Sequence, residues 1–145
     1  MLDRTVIESL IPHKGAMCLL DGVCAWSRHA ITAFSRTHLD DTNPLRRGGV
    51  LSVIAGCEYA FQAAALHGAL MDGGTPQPPG RVVKLALDRI TSGRLDDPEL
   101  GILAITAELE HAGLSGLVYR FGVAGEQGRP LLSGRGVIAL LGRAA

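Results

Sequence analysis

This chain has few aromatic residues and no net charge, and each shortage excludes a class of protein. Phe, Tyr and Trp together make up 4% of the 145 residues, so a core must be built mainly from Leu, Ala, Val and Ile. The 14 basic and 14 acidic side chains cancel to a formal net charge of +0. That balance argues against a general nucleic-acid-binding protein, because such proteins need a strongly basic surface.

Cysteine is also scarce, and long membrane-type hydrophobic runs are absent. The three cysteines, Cys18, Cys24 and Cys57, form no CxxC pair, and their odd number and wide spacing predict neither a disulfide framework nor a zinc site. The chain opens with Asp3 and Arg4 in place of the hydrophobic region of a signal peptide. We therefore expect reduced thiols, no metal, no membrane span and a cytoplasmic location.

The pattern of hydrophobic residues predicts a single α+β domain over residues 1–145. Hydrophobic residues make up 47% of the chain, enough for a substantial core. We predict a short helix over Asp3–Leu10, two strands, a long helix over Val50–Met71, and then four strands. The predicted strands are Met17–Ser27, His29–Thr37, Arg81–Ile90, Ile102–His111, Leu117–Ala124 and Leu131–Leu141. Short turns between the late strands indicate an antiparallel sheet of five or six strands enclosing the long helix.

Glu58 is the most informative residue, because it lies in the middle of the most apolar stretch of the chain. The helix Val50–Met71 has apolar residues on all sides, which is typical of a buried helix. Burying an unpaired carboxylate costs several kcal/mol unless its pKa rises or it finds a partner. Glu58 is therefore a candidate for acid–base chemistry. The alternative is a structural glutamate that hydrogen-bonds to a neighbour.

Two segments resemble a known family. Residues 11–21, IPHKGAMCLLD, resemble the PHR-x-P-x-L-L-x-D opening of FabZ-type 3-hydroxyacyl-acyl-carrier-protein dehydratases. Residues 58–63, EYAFQA, resemble the E-A-x-A-Q helix segment of those enzymes, with Gln62 four residues after Glu58. The segments NPLRR, GCEY and HGAL look closer still to the ApeP-like branch, which is linked to aryl polyene biosynthesis. The order of the predicted elements is also that of the hotdog fold of this family.

The resemblance implies a dehydratase that removes water from a 3-hydroxyacyl thioester in fatty acid or polyene biosynthesis. The acyl chain would be carried on the phosphopantetheine of an acyl carrier protein or of coenzyme A, with no metal or redox cofactor. The resemblance also implies a homodimer or higher oligomer with its active site at the subunit interface. A heterodimer with another hotdog protein is a further possibility.

The resemblance assigns Glu58 as the acid that protonates the departing hydroxyl, but it leaves the base open. The family's catalytic histidine stands fourteen residues before the glutamate, where this chain has Pro44 with Asn43 beside it. Asparagine cannot take a proton, so we expect the base to be His38, the nearest imidazole, or a group of a partner subunit. Chemically, backbone N–H groups at a helix start suit a thioester oxygen that gains negative charge.

The remaining candidates are expected to bind the substrate or to support the fold. We predict that the amides of Val53 and Ile54 polarise the thioester carbonyl, and we place Gln62 in the same substrate-binding set. Arg46 and Arg47 are either solvated loop charges or contacts for a phosphate or an acidic carrier protein. We interpret two histidines as structural: His13 in the PHKG turn and His67 in the helix.

Two other functions stay open. Some hotdog thioesterases pair a helix carboxylate with Asn or Gln, so Asn43 and Glu58 also fit an acyl thioesterase. A third possibility is a non-catalytic subunit that binds acyl chains or completes a heterodimer. Formation of a trans-2-enoyl product, formation of a free acid, or no turnover would separate the three.

Overall fold

The predicted order of helices and strands is confirmed by the structure. The computed structural model describes residues 2–76, 80–91, 93–114 and 116–140. The two α-helices are α1 (Arg4–Leu10) and α2 (Gly56–Met71). The six strands are β1 (Gly22–Trp26), β2 (Ala30–Ser35), β3 (Gly80–Ile90), β4 (Leu103–Ala112), β5 (Gly116–Ala124) and β6 (Pro130–Leu140). Residue 141, the predicted end of the last strand, lies outside the described residues.

All six strands form one antiparallel sheet around α2. Their order is β1-β2-β4-β5-β6-β3, and every pair of neighbours is antiparallel. Helix α2 packs against β2, β4 and β5 in the middle of the sheet. Alternate residues of β4, Leu103, Ile105 and Ala107, face the core and are buried, as expected when one face of a sheet is covered.

Helix α2 begins six residues later than the predicted start at Val50. Leu51 is buried, and its backbone bonds to the next loop: its N–H donates to Asp96 Oδ1 at 3.1 Å and its carbonyl accepts from Leu95 N–H at 2.7 Å. These bonds hold the chain extended there. A 3₁₀ turn (Val53–Ala55) follows, and the Ser52 hydroxyl caps it by accepting a hydrogen bond from Ile54 N–H.

Within the single chain, α2 is not buried on every side. Glu58 and Met71 are exposed, and Phe61, Ala65 and Gly68 between them are half-buried. These residues recur every three or four positions, so they lie on one face of the helix. The opposite face is buried in the sheet. The exposed stripe of α2 therefore faces open space in the single chain.

Strand β3 forms an uncovered edge of the sheet. It pairs only with β6, and nearly all of its residues are exposed. Val83 is 56% exposed and Leu85 is 42% exposed. A long apolar edge strand offers unpaired backbone groups to another chain. Within the part of the chain that the structure describes, no helix has the length and hydrophobicity needed to span a membrane.

Candidate functional site

The exposed stripe of α2 forms one wall of an apolar cavity with a volume of about 720 Å³. Its other walls come from the end of α1, the loop after α1, and strands β3 to β6. Most of the lining is apolar: Leu10, Pro12, Phe61, Ala64, Ala65, Gly68, Met71, Val82, Leu109, Ala112, Leu117 and Ile138. Four ionisable side chains among the described residues also line it: His13, Glu58, Asp72 and Tyr119. A cavity with a few polar groups in an apolar lining is typical of a small-molecule site.

Glu58 lies near one end of this cavity, and its side chain is exposed. Glu58 is therefore not buried within the single chain, and its predicted place at a subunit interface stays a prediction. No lysine or arginine of the described residues forms an ion pair with it. Asp72 lies at the other end, about 21 Å away along the helix if each residue rises 1.5 Å. The cavity therefore runs the length of α2 and places a carboxylate near each end.

His13 lines the same cavity as Glu58. Its ring is half-buried, and Nδ1 is covered by protein atoms without a hydrogen-bond partner among the described residues. Burial lowers the pKa of His13, and the nearby negative charge of Glu58 partly opposes that shift. The imidazole is thus favoured in its neutral form, which can accept a proton.

The loop that carries His13 is tied to α2 by Gln62. Gln62 is buried; its Oε1 accepts from Leu19 N–H at 2.8 Å and its Nε2 donates to Met17 O at 2.7 Å. Because Gln62 lies one turn after Glu58 on the same helix, the two residues are near neighbours on its surface. The amide of Gln62, predicted to bind substrate, instead holds the chain after His13 in place.

The same loop is held from the other side by α1. Lys14 Nζ donates to Ile11 O at 2.7 Å, and Gly15 N–H donates to Glu8 Oε1 at 2.8 Å. Gly15 has φ +57°, a backbone conformation that other residues rarely adopt. Arg4 donates to Gly15 O at 2.9 Å. His13 therefore sits on a loop that is fixed at both ends.

Asn43, the predicted counterpart of the family's histidine, is buried in a different place. Its Nδ2 donates to Thr37 O at 2.9 Å and to Tyr59 Oη at 3.0 Å. Its Oδ1 accepts from Leu45 N–H at 2.9 Å. Asn43 lines a separate polar cavity that does not include Glu58. Within one chain, the Asn43 amide is thus used to hold residues 37–49 against α2.

Arg46 is also used internally. Its guanidinium donates to Asp40 O at 2.8 Å, to Gly49 O at 2.9 Å and to Asp96 Oδ2 at 3.2 Å. The Asp96 side chain is buried, and its hydrogen bonds with Arg94 and with Leu51 N–H hold the pKa of that carboxyl well below its usual range. Arg46 thus fastens residues 37–49 to the loop after β3. A phosphate-binding role for it has no support in this placement.

Arg47 differs from Arg46 because its side chain is exposed. It donates to Pro44 O at 3.0 Å and to Arg46 O at 2.9 Å. Neither acceptor is a charged group, so the Arg47 guanidinium keeps its charge unpaired among the described residues. A contact with a phosphate or an acidic protein stays a prediction for this residue.

His38 is completely buried, with no side-chain surface open to either cavity. Neither ring nitrogen makes a well-formed hydrogen bond among the described residues. Burial lowers its pKa, and the nearby Gly101 backbone opposes that shift without reaching hydrogen-bond geometry. A catalytic role for His38 stays a prediction, and this position does not favour it.

His67 is a packed helical histidine, as predicted. Its Nε2 lies 2.9 Å from Ser27 O, and its Nδ1 lies 2.7 Å from Tyr119 Oη. A carbonyl can only accept, so Nε2 carries the proton and Nδ1 accepts from the tyrosine hydroxyl. Burial lowers the pKa of His67. Both ring nitrogens are occupied, so His67 is not available as a base.

The predicted oxyanion amides lie in the 3₁₀ turn before α2. Ile54 N–H donates to Ser52 Oγ at 3.3 Å, so a side chain already occupies that donor. Val53 is buried, and the Ile54 side chain is 46% exposed. Neither residue lines the cavity of Glu58 in the single chain. Their role in binding a thioester stays a prediction.

The sequence model of the ApeP-like family, described as the ApeP dehydratase, matches residues 5–85. That is more than half of the chain. The chain belongs to the ApeP-like family. The match includes the loop of His13, Glu58 and Gln62, whereas β4, β5 and β6 lie outside it. No curated protein matches this sequence.

Solved structures share the fold of this ApeP-like chain. The dehydratase heterocomplex ApeI:P of Xenorhabdus doucetiae has a TM-score of 0.71 and 16% identity, over 92% of this chain and 90% of that chain. A hypothetical thioesterase of Streptococcus pneumoniae TIGR4, solved with coenzyme A, has a TM-score of 0.56 and 16% identity, over 85% and 87%. A mutant thioesterase of Pseudomonas aeruginosa has a TM-score of 0.58 and 18% identity, over 81% and 78%. At such identities the likeness shows the fold, which is the predicted hotdog fold.

The structure thus brings together one expected residue of this ApeP-like chain, Glu58, and one that sequence reasoning set aside, His13. The signal for His13 was present in the resemblance itself, because the two matching segments, residues 11–21 and 58–63, each contribute one of these residues. His13 was interpreted as structural because it lies in the PHKG turn. Only the packing of that turn against α2 reveals that the two residues share a cavity.

Proposed function

We propose that this chain is a 3-hydroxyacyl-thioester dehydratase, or the dehydratase-like subunit of a complex, in fatty acid or polyene-type biosynthesis. The observation that carries the proposal is Glu58, an exposed carboxylate near the end of a largely apolar cavity that follows α2. Membership of the ApeP-like family, whose model is described as a dehydratase, supports the same reaction.

The shape of the cavity suits an acyl chain. In the wall formed by α2, Ala65 and Gly68 are small and leave room for an acyl chain beside Phe61. A β-carbon added to Gly68 would meet no atom within 4 Å. In this proposal the acyl chain lies along α2 and the thioester lies near Glu58. The phosphopantetheine of an acyl carrier protein or of coenzyme A delivers it. Loss of water changes no oxidation state overall, so the reaction needs no redox cofactor.

A second hotdog subunit completes the site in this proposal. Strand β3 leaves its backbone edge open and exposes Val83, Leu85 and Ile90, which suits pairing with another strand. Val82 and Gly80 of the same strand line the cavity of Glu58, so a partner placed along β3 would also narrow that cavity. The partner is a second copy of this chain or another hotdog protein. The likeness to the ApeI:P heterocomplex favours testing both.

The thioesterase alternative loses the pairing that suggested it. The Asn43 amide is hydrogen-bonded to Thr37, Tyr59 and Leu45, and Asn43 lies outside the cavity of Glu58. The thioesterase structures of similar fold support the fold and not the activity. Identifying the product from a 3-hydroxyacyl thioester separates the reactions, because dehydration gives a trans-2-enoyl thioester and hydrolysis gives a free acid. A non-catalytic subunit would give neither product alone, and any product formed with an active partner would not depend on Glu58.

The test of this proposal is Glu58→Gln, which keeps the shape of the side chain and removes its proton transfer. We expect dehydration to fall at least a hundredfold, the usual size of an acid–base contribution. Glu108→Gln, at an exposed position on β4, is the matched control and should keep its rate. Both variants are assayed alone and with a second hotdog subunit. Turnover that survives Glu58→Gln in both settings would refute the assignment.

A further inference from the structure

We infer that His13 is the catalytic partner of Glu58, so that one chain supplies both the base and the acid for dehydration. The inference rests on the proposed function and adds a residue that the sequence had assigned to a structural turn. It also removes the need for a histidine at the position of Asn43, which is the point at which this chain departs from the FabZ pattern.

The first support is geometric. His13 and Glu58 line one cavity, and the charge of Glu58 acts on the His13 ring. His13 Nδ1 is covered and has no partner among the described residues, although buried polar atoms are nearly always hydrogen-bonded. No hydrogen bond from the covered Nδ1 ties the His13 ring to the fold, and the residue lines an open apolar cavity, so the ring is placed for a ligand rather than for the fold.

The second support is that the His13 loop is fixed by groups other than His13 itself. Gln62, Lys14 and Glu8 hold this segment through hydrogen bonds to its backbone. A residue kept for the turn would be expected to make such bonds with its own side chain. Rigid support beneath a free functional group is the arrangement that a catalytic side chain requires.

The third support is elimination among the other four histidines. His38 is fully buried away from the cavity. His67 has both ring nitrogens occupied by Ser27 O and Tyr119 Oη. His29 and His111 are exposed and do not line the cavity. His13 is therefore the imidazole that lines the cavity of Glu58.

The reaction step balances with this pair. A neutral ring nitrogen of His13 takes the proton from C2 of the 3-hydroxyacyl thioester, and the electrons of that C–H bond form the C2=C3 double bond. The C3–O bond breaks, and the hydroxyl leaves as water with the proton from the Glu58 carboxyl group. The proton gained by His13 then passes to Glu58, which restores both groups for the next turnover.

A measurement without turnover tests the contact first. Titration of the imidazole nitrogens by NMR gives the pKa of His13 in the unmodified protein and in Glu58→Gln. We expect that pKa to fall in Glu58→Gln, because the variant loses the negative charge that favours the imidazolium. The NMR signals of His29, exposed in the β1–β2 turn, should be the same in both proteins. An unchanged His13 pKa would overturn the inference whatever the enzyme's activity.

Kinetics test the role. We expect His13→Gln to lose at least a hundredfold in kcat with its unfolding transition intact, and to lose the acidic limb of the kcat/KM pH profile. His29→Gln is the matched control and should keep both. Full activity of His13→Gln alongside a dead Glu58→Gln would overturn the inference and leave the proposed function standing. Full activity of both variants, or an unmodified protein that yields no enoyl product alone or with a second subunit, would refute the proposed function itself.

Discussion

Two loops of this chain pack beside α2, and they use their polar side chains in opposite ways. The first loop, residues 11–14, has one imidazole whose Nδ1 finds no partner among the described residues. The second loop, residues 37–49, is far richer in polar residues, and its Asn43 and Arg46 are bonded to the protein itself. Counting polar residues points to the second loop as the site. Asking which unpartnered polar group also lines the cavity of Glu58 points to the first, because His38 of the second loop is unpartnered but lines neither cavity.

The difference has an energetic reason. A buried amide or guanidinium that is fully hydrogen-bonded stabilises its surroundings, and removing it leaves the partners unsatisfied. Such groups cannot also bind a substrate without losing those bonds. A group that lacks a partner and also lines a cavity, as His13 does, is better explained by a ligand. Changes in the second loop should therefore act mainly on stability, and a change at His13 mainly on turnover.

The largest loss of stability is expected from Gln62→Met, which breaks the link between the first loop and α2. Methionine has a similar volume, but it leaves the buried Leu19 N–H and Met17 O without partners. Two unsatisfied backbone groups should lower the free energy of unfolding by about 3 kcal/mol. Chemical denaturation measures this, and turnover should also fall because His13 is less well placed.

The matched control is Gln127→Met in the exposed turn between β5 and β6. A surface change of this kind should stay within about 0.5 kcal/mol. If Gln62→Met unfolds at the same denaturant concentration as this control, Gln62 does not hold the first loop. The rigid placement of His13, on which the comparison of the two loops depends, would then be contradicted.

A smaller loss is expected from Asn43→Ala in the second loop. The variant leaves Thr37 O and Leu45 N–H without the amide and removes a donor to Tyr59 Oη. We expect the free energy of unfolding to drop by about 2 kcal/mol, with the neighbouring Thr42→Ala, an exposed position, near the value of the unmodified protein. Loss of turnover with full stability would indicate that Asn43 acts in catalysis and would favour the acyl thioesterase that uses Asn43 and Glu58.

The fold could be predicted from the sequence because its signals are local. Turn residues and alternating strands predicted the order of elements, and the prediction of five or six antiparallel strands around one long helix is confirmed by the six-stranded sheet. The start of α2 was wrong because Leu51 is held extended by a loop more than forty residues away. Hydrophobicity cannot reveal that constraint.

The site was only half predictable. Glu58 stands out in the sequence because a carboxylate interrupts an apolar run, although its side chain is exposed in the single chain. Ala65 and Gly68 read as core residues, whereas in the structure they line an open cavity. Small residues look alike in both settings. His13 was missed because its neighbour across the cavity lies 45 positions later, and only tertiary packing joins them.

The smallest effect is expected at His38, and it should appear only in acid. Burial lowers the pKa of His38 from its ordinary value of 6.5, so below that pH the unfolded chain takes up a proton that the folded chain resists. Stability contributed by neutral burial is therefore complete above about pH 6.5 and is lost as the pH falls towards the lowered pKa, by at most about 1.4 kcal/mol per pH unit for one group. His38→Leu removes this titration and two buried nitrogens without partners, so at pH 8 we expect the free energy of unfolding to change by under about 1 kcal/mol.

Chemical denaturation at a series of pH values from 8 to 5 measures the effect. The free energy of unfolding should fall less steeply with pH for His38→Leu than for the unmodified protein, while His29→Leu follows the unmodified protein. Because His13 and His67 also have lowered pKa values, some acid sensitivity should remain. Equal slopes for His38→Leu and the unmodified protein would mean that the His38 ring reaches solvent or a hydrogen-bond partner, and the second loop would then contain no buried histidine without a partner.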